Sequence, residues 1–114
     1  MNEIAVEGLR QMHSHAQVAV GYAQGHSKWH EDQFAIDAIA KRVELVAEVA
    51  GYRIPRSLWA EYPSIPWLQI VGMRHRLVHG YDRMDIEVLV ETVNRDLPRL
   101  IEQIDKLLEE SASQ

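Results

Sequence analysis

Residues 85–107 read DIEVLVETVNRDLPRLIEQIDKL, and this stretch decides the fold class. Its apolar side chains recur at steps of three and four residues, the spacing that lines one face of an α-helix. This stripe consists of Ile86, Val90, Val93, Leu97, Leu100, Ile104 and Leu107. Asp85 is a suitable N-cap, and Pro98 lacks the backbone N–H that a continuous helix needs. We therefore predict one long helix with a kink near residues 94–97, held on a core by its apolar stripe.

The same spacing predicts three helices before this one. The first helix covers roughly residues 2–24. Ser27 is a plausible N-cap for the second helix, and Gly51 is expected to end it. Pro66 suits the first turn of the third helix, which should end between residues 78 and 80. The stripes expected to be buried are Ala5, Leu9, Met12, Ala16, Ala19 and Ala23 in the first helix, and Ile36, Ile39, Val43, Val46 and Ala50 in the second.

The remaining sequence limits the architecture. Residues 52–66 contain three prolines and form a connector, with one helical turn at residues 56–61. No useful length of the chain alternates apolar and polar residues as a strand would. A chain of 114 residues with 46% hydrophobic composition fits a single core. We predict an all-α bundle of four or five helices in one domain, residues 1–110, followed by a short polar tail at 111–114.

Composition excludes several classes of protein. The sequence has no cysteine, which rules out disulfides, cysteine-ligated metal sites and a cysteine nucleophile. The N-terminal residues lack the basic segment and apolar run of a signal peptide, and nowhere do about 18 apolar residues occur together. We therefore expect a cytoplasmic protein that does not enter a membrane.

The net charge of −5 argues at first against a nucleic-acid partner, because binding to phosphates is driven largely by cations. The charge is unevenly distributed, however. From Asp85 onward there are eight acidic and three basic residues, whereas residues 1–84 carry nine of each. Between residues 74 and 84, Arg74, Arg76 and Arg83 face only one acid, Asp82. The sequence thus predicts a small cationic site within an acidic protein, without an extended nucleic-acid-binding stripe.

Arg74 and His79 supply the groups that RNA cleavage requires. Histidine titrates near neutral pH and can transfer protons, and arginine offers a charged, planar set of donors to phosphate oxygens. On an ideal helix, residues five apart differ by about 140°, so the two side chains converge best if the helix ends between them. Gly80 would permit such an ending. Tyr81 then places a phenol beside the same site, where it could orient a phosphate or a ribose hydroxyl, or simply pack its ring.

Four short strings carry a resemblance to a known family: IPW at 65–67, GMR at 72–74, LVHGY at 77–81 and DLP at 96–98. Together they resemble the HepT-like branch of the HEPN ribonucleases, most strongly over residues 36–108. The resemblance implies an all-α, HEPN-type bundle of four to five helices. That family's signature is an arginine, four residues, a histidine, one residue and a tyrosine.

The signature maps onto Arg74, His79 and Tyr81. After the arginine, the family usually has a polar residue, most often asparagine, whereas this sequence has His75. His75 could either take part in proton transfer or contact the phosphate. Arg76 is expected to support substrate binding. In the family, a glutamate is usual at the position that aligns with Glu48. This carboxylate could hold the guanidinium of Arg74 in place. The alternative is that Glu48 and Glu44, one turn before it, lie on a solvated helix face.

The resemblance further implies a toxin that cleaves RNA as a homodimer, without metal or cofactor, in a cleft shared by two copies. It also implies a partner, a nucleotidyltransferase antitoxin of the MntA type, which attaches AMP to the tyrosine that corresponds to Tyr81. The added bulk and negative charge would occupy the phosphate site and repel RNA.

Other interpretations remain open at this stage. One is a non-catalytic helical module that binds a partner protein or a nucleotide. A second is a metal site at His26 and His30, which have i, i+4 spacing, with His13 and His15 nearby; solvated surface histidines are the simpler interpretation. Trp59 and Trp67, finally, fit core or dimer anchors better than base-stacking platforms.

Overall fold

The computed structural model describes residues 2–79 and 83–112, and for residues 78, 79 and 83 it describes the backbone only. The α-helices are α1 (Glu3–Gly25), α2 (Gln33–Glu48), α3 (Trp67–Leu77), α4 (Ile86–Glu91) and α5 (Leu97–Ala112). Short 3₁₀ turns lie at Trp29–Glu31 and Arg56–Glu61, π turns at Val49–Arg53 and Thr92–Asp96, and two two-residue strands, β1 (Val78–His79) and β2 (Arg83–Met84), pair with each other. The predicted all-α bundle is confirmed.

Helix α1 has the predicted bounds to within a residue. It begins because Oδ1 of Asn2 accepts hydrogen bonds from the backbone N–H groups of Ile4 and Ala5, at 2.8 and 3.2 Å. Its predicted stripe faces the core, and five members are completely buried: Ala5, Leu9, Met12, Ala16 and Ala19. Small alanines in this stripe allow close packing, and α1 lies against both α2 and α5.

The start of α2 differs from the prediction. Ser27 is not its N-cap, because a 3₁₀ turn at Trp29–Glu31 intervenes and buries the Trp29 ring. Asp32 is the cap instead, with Oδ1 accepting hydrogen bonds from the N–H groups of Phe34 and Ala35. The hydrogen bond from Ala35 is the main cause of the lowered pKa of Asp32. The predicted apolar stripe of α2 is buried as expected.

Gly51 does not end the second helix, contrary to the prediction. The chain continues through the π turn Val49–Arg53 and leaves helical geometry at Ile54, whose N–H still bonds to the Val49 carbonyl at 3.2 Å. Ile54 is extended because it precedes Pro55, and the residue before a proline is disfavoured in the helical region. Proline therefore ends this segment, three residues beyond the expected position.

The last two helices follow the prediction closely. The side chain of Asp85 accepts a hydrogen bond from the N–H of Val88, which makes Asp85 the N-cap of α4. The expected interruption before Pro98 takes the form of the π turn Thr92–Asp96, in which the N–H of Leu97 bonds to the Thr92 carbonyl. Pro98 cannot donate to the carbonyl of Asn94, so the regular bonding pattern breaks there.

The core lies where α1, α2, α3 and α5 meet. Its largest fully buried side chains include Leu9, Met12, Ile39, Ile54, Ile65, Leu77, Leu89, Leu97 and Ile104. The predicted turn at Arg56–Glu61 is present, and it leads into α3 immediately after Pro66. Within residues 2–79 and 83–112, no helix combines the length and apolarity needed to cross a membrane.

Candidate functional site

The last turn of α3 carries the cationic cluster predicted from the sequence. Trp67, Ile70, Met73 and Leu77 fix this helix on the core, each with 6% or less of its surface exposed. Arg74, His75 and Arg76 occupy the remaining positions of the final turn and are exposed. All three basic side chains of the last turn of α3 are therefore in contact with solvent.

The two arginines of this turn lie on different sides of the helix. They are two residues apart, which corresponds to about 200° of rotation on an α-helix. Nη2 of Arg76 donates a hydrogen bond to the backbone carbonyl of Gln69, 3.0 Å away, so its side chain lies back along α3. Arg74 makes no hydrogen bond or ion pair within the part of the chain that the structure describes. Its guanidinium is exposed to solvent.

Helix α3 ends at Leu77, between Arg74 and His79 and one residue before the predicted range of 78–80. The backbone of Val78 and His79 is extended and pairs antiparallel with Arg83 and Met84. The N–H of Asp85 also donates to the Leu77 carbonyl, at 2.6 Å, which ties the start of α4 to the end of α3. The backbone at His79 is therefore extended and no longer belongs to helix α3.

Several predicted site groups lie outside the described residues: the side chains of His79 and Arg83, and the whole of Gly80, Tyr81 and Asp82. The convergence of Arg74, His79 and Tyr81 on one substrate stays a prediction. Glu48 lies exposed at the end of α2, the helix that packs against α3, and Glu44 is half-buried. Neither glutamate has a recorded hydrogen bond or ion pair among the described residues, so the supporting role of Glu48 also stays a prediction.

His13, in α1, and His26, in the connection between α1 and α2, each contact a carboxylate. Nε2 of His13 lies 2.7 Å from Oδ1 of Asp105, joining α1 to α5, and Nε2 of His26 lies 3.1 Å from Oδ2 of Asp32. Solvated histidine is thus an incomplete description, because His13 is more than half buried. In the described ranges, no three histidine, aspartate or glutamate side chains are grouped so that they could hold a metal ion.

His15 has a different environment, because its partner is a cation. Nη1 of Arg42 donates a hydrogen bond to Nδ1 of His15, 3.1 Å away, which requires that nitrogen to be unprotonated. Burial lowers the pKa of His15, and the charges of Arg42 and Arg53 lower it further. The neutral imidazole links α1 to α2 and belongs to the scaffold of the bundle.

The two tryptophans form the anchor that the sequence favoured over a base-stacking platform. Their rings are parallel, 5.6 Å apart between centroids, and the Arg56 guanidinium lies 5.0 Å over the Trp59 ring. Trp67 is buried, and its Nε1 donates to the carbonyl of Tyr62 at 3.0 Å. This stack attaches the turn at Arg56–Glu61 to the beginning of α3. It holds the site helix from its N-terminal end.

A cleft between α3 and α5 was not predicted. It has a volume of about 160 Å³, with Arg76 from α3 and Arg99 from α5 among its lining residues. The only trace in the sequence is that Arg99 and Gln103 are polar residues four positions apart, a pattern common to any solvated helix. Which helix faces them depends on the tertiary packing.

The fold and this turn define a class of protein: an all-α bundle with an exposed cationic segment where its third helix ends. A family model described as "Ribonuclease HepT-like" matches residues 6–107, and the chain belongs to this family. The match includes most of α1, beyond the region in which the sequence strings resemble the family.

Proteins of other organisms are similar to this chain. It is 36% identical over 70 residues to a protein of Thermococcus cleftensis named as a probable ribonuclease HepT, covering 61% of this chain and 63% of that protein. It is 35% identical over 78 residues to a "gamma-glutamylcyclotransferase and putative RNase" of Methanocaldococcus jannaschii, covering 68% of this chain and 35% of that protein. The chain thus spans less than two thirds of either relative. No solved structure matches it.

Proposed function

We propose that the protein is a metal-independent endoribonuclease whose site is formed by Arg74, His79 and Tyr81. The observation that carries the proposal is the exposed guanidinium of Arg74, which has no partner among the described residues and precedes the point where α3 changes to extended backbone. Family membership and the ribonuclease names of similar proteins support it.

The chemistry is an in-line transfer within the RNA. His79 removes the proton of the 2′-hydroxyl, and the 2′-oxygen then bonds to the adjacent phosphorus. The bond from phosphorus to the 5′-oxygen breaks, and the leaving oxygen takes up a proton from the protonated His79. Arg74 stabilises the negative charge that develops on the phosphate oxygens, and Tyr81 and His75 position them. The products are a 2′,3′-cyclic phosphate and a 5′-hydroxyl.

The proposal includes a homodimer. Leu68, on α3, is 68% exposed, and Tyr52, in the neighbouring π turn, is 86% exposed. The π turn lies against α3, because a Cβ on Gly51 would be 3.6 Å from a methyl group of Val71. Leu68 and Tyr52 therefore provide apolar surface beside the helix that carries Arg74, and a second copy of the chain would cover it.

The proposal extends to regulation by a nucleotidyltransferase antitoxin of the MntA type. Transfer of AMP from ATP to the Tyr81 hydroxyl, with loss of the phenol proton and with pyrophosphate as the leaving group, would add a phosphodiester and a nucleoside two residues from His79. The new negative charge would compete with substrate phosphates for Arg74. This step rests on the sequence signature of the family.

The test is an RNA cleavage assay in excess chelator, with the product ends identified by mass spectrometry. We expect cleavage with 2′,3′-cyclic phosphate ends, and its loss in Arg74→Ala and His79→Ala. Arg10→Ala is the matched control, because Arg10 is an exposed arginine on α1, outside the proposed site. Cleavage that persists in His79→Ala would overturn the proposal. An inactive protein that binds the nucleotidyltransferase tightly would instead favour the non-catalytic module.

A further inference from the structure

The cleft between α3 and α5 lies on the Arg76 side of α3, away from Arg74. Its floor is part of the core: Ile70, Met73, Leu97 and Leu100 line it, and each is 4% or less exposed. Side chains that are packed this tightly cannot collapse into the space. The cleft therefore has a preformed apolar floor.

The rim of the cleft is polar and carries more positive than negative charge. Arg76 and Arg99 contribute two guanidinium groups, and Asp96 contributes one carboxylate. That carboxylate already has a cation beside it, because its Oδ1 accepts from Nε of Arg95 at 3.4 Å. Arg99 has no hydrogen bond or ion pair recorded within the described residues. An apolar floor under two exposed guanidinium groups fits a ligand with a flat apolar part and an anionic part.

The size of the cleft limits the ligand further. Sites for whole small molecules typically have volumes of roughly 300–1,000 Å³, whereas this cleft has about 160 Å³. It accommodates one ring system, with the rest of the ligand outside. Amide groups of Gln69 and Gln103 line the two sides, where they can donate to and accept from the edge of a heterocycle.

We propose that this cleft binds one nucleotide of single-stranded RNA, with the base on the apolar floor and its phosphate against Arg76 and Arg99. The choice of RNA as the ligand rests on the proposed function. Recognition of single strands commonly uses unstacked bases held in apolar pockets beside cationic groups. Because Arg74 lies on the other side of α3, the cleft is a second contact for the strand, separate from the point of cleavage.

The test is NMR titration of the ¹⁵N- and ¹³C-methyl-labelled protein with the four 5′-mononucleotides, a measurement that does not require cleavage. We expect chemical shift changes at Ile70, Met73 and Leu100, with unequal affinities for different bases. Inorganic phosphate and a short polyglutamate peptide are run in parallel. Equal effects of phosphate and the nucleotides would overturn the role of the base, and a response to the peptide alone would overturn the choice of ligand.

Variants connect the cleft to RNA binding. A single-stranded DNA oligonucleotide, which lacks the 2′-hydroxyl and cannot be cleaved by this chemistry, is the probe for fluorescence anisotropy. We expect Arg99→Ala and Gln69→Glu to weaken binding about fivefold to tenfold, because one removes a phosphate contact and the other adds a repelling charge. Arg10→Ala is the control with the same loss of charge as Arg99→Ala. Equal losses in Arg10→Ala and Arg99→Ala would overturn the proposal.

The two proposals can fail separately. If the nucleotides bind in the cleft but the protein does not cleave RNA, the cleft proposal stands and the ribonuclease proposal falls. If RNA is cleaved, but the nucleotides leave the cleft resonances unchanged, the cleft proposal alone is overturned.

Discussion

Arg42 donates a hydrogen bond to His15, and this 3.1 Å contact joins α1 to α2 through an imidazole that must be neutral. Because the pKa of His15 is lowered by burial and by two arginines, the folded protein takes up the proton less readily than the unfolded chain. Below the ordinary pKa of 6.5, the unfolded state binds more protons, and the stability contributed by this site falls. The loss proceeds with decreasing pH until the folded protein is also protonated.

We expect His15→Gln to remove this contribution to the pH dependence. The measurement is urea unfolding of both proteins at pH 7.5 and pH 5.5. His13 and His26, which contact carboxylates, are present in both proteins, so their effects cancel in the comparison. The wild type should lose more stability on acidification than His15→Gln does. An equal or larger loss in the variant would contradict the assignment.

The N-cap of α2 can be tested by a pair of substitutions. Asp32→Ala removes the acceptor for two backbone N–H groups, whereas Ser27→Ala removes a side chain that makes no hydrogen bond within the described part of the chain. We expect Asp32→Ala to lower Tm by about 2–5 °C and Ser27→Ala to leave it nearly unchanged. Thermal unfolding followed by circular dichroism measures both. A larger decrease in Tm for Ser27→Ala than for Asp32→Ala would show that Ser27 is the N-cap, as the sequence predicted.

Two glycines of α1 should respond in opposite ways to alanine. A Cβ on Gly8 would clash with Cγ1 of Ile54, which is fully buried, whereas a Cβ on Gly21 would meet nothing within 4 Å among the described residues. We expect Gly8→Ala to destabilise the protein by about 1–3 kcal/mol through overpacking. Gly21→Ala should stabilise it by roughly 0.5–1 kcal/mol, because alanine is the better helix former. Denaturant unfolding gives both values, and a shift of the same sign in both variants would refute this description of the contact.

Arg74 should affect activity without affecting stability. We expect Arg74→Ala to lower kcat by about 10²- to 10³-fold, because a charged donor to the phosphate oxygens is lost, and Arg74→Lys to restore only part of this. Its free energy of unfolding should change by less than about 0.5 kcal/mol, because the guanidinium has no partner among the described residues. Steady-state cleavage and urea unfolding are measured on the same preparations. Loss of activity that is accompanied by unfolding would indicate a structural role.

The apolar surface beside α3 should determine the oligomeric state. We expect the wild type to elute at twice the mass of its 13.1 kDa chain in size-exclusion chromatography with light scattering, and Leu68→Glu to shift it toward the monomer. Phe34→Glu is the control, since Phe34 is 91% exposed at the beginning of α2. If Phe34→Glu dissociates the dimer and Leu68→Glu does not, the interface lies at Phe34, and the proposed interface beside α3 is wrong.

Much of the fold could be predicted because its signals are local. The apolar stripes of α1, α2 and α5 follow from spacing alone, and Asp85 and Pro98 act within one turn of their own positions. The start of α2 could not be predicted in this way. Serine and aspartate are nearly equivalent caps, and the burial of Trp29, a tertiary effect, decides between Ser27 and Asp32.

The candidate site, too, has features that follow from local spacing and features that depend on tertiary packing. The exposure of Arg74 could not be predicted from spacing, because Arg74 is seven residues from the buried Trp67 and four from the buried Ile70 and so lies on their side of α3. The placement of Arg76 on another side of the helix is local, but the cleft that it lines is formed by contact with α5, which spacing along α3 cannot indicate. The pairing of His13 with Asp105, 92 positions along the chain, has no local signal either.

The two π turns have a consequence for how this chain is aligned with its relatives. Each i→i+5 turn accommodates one residue more than a regular α-helical turn, and each lies just before a proline, Pro55 or Pro98. A relative that lacks the proline and has a straight helix should therefore be one residue shorter at that point. Single-residue gaps in residues 49–53 and 92–96 would record where, during divergence, these helices gained or lost a residue without a change in the packing on either side.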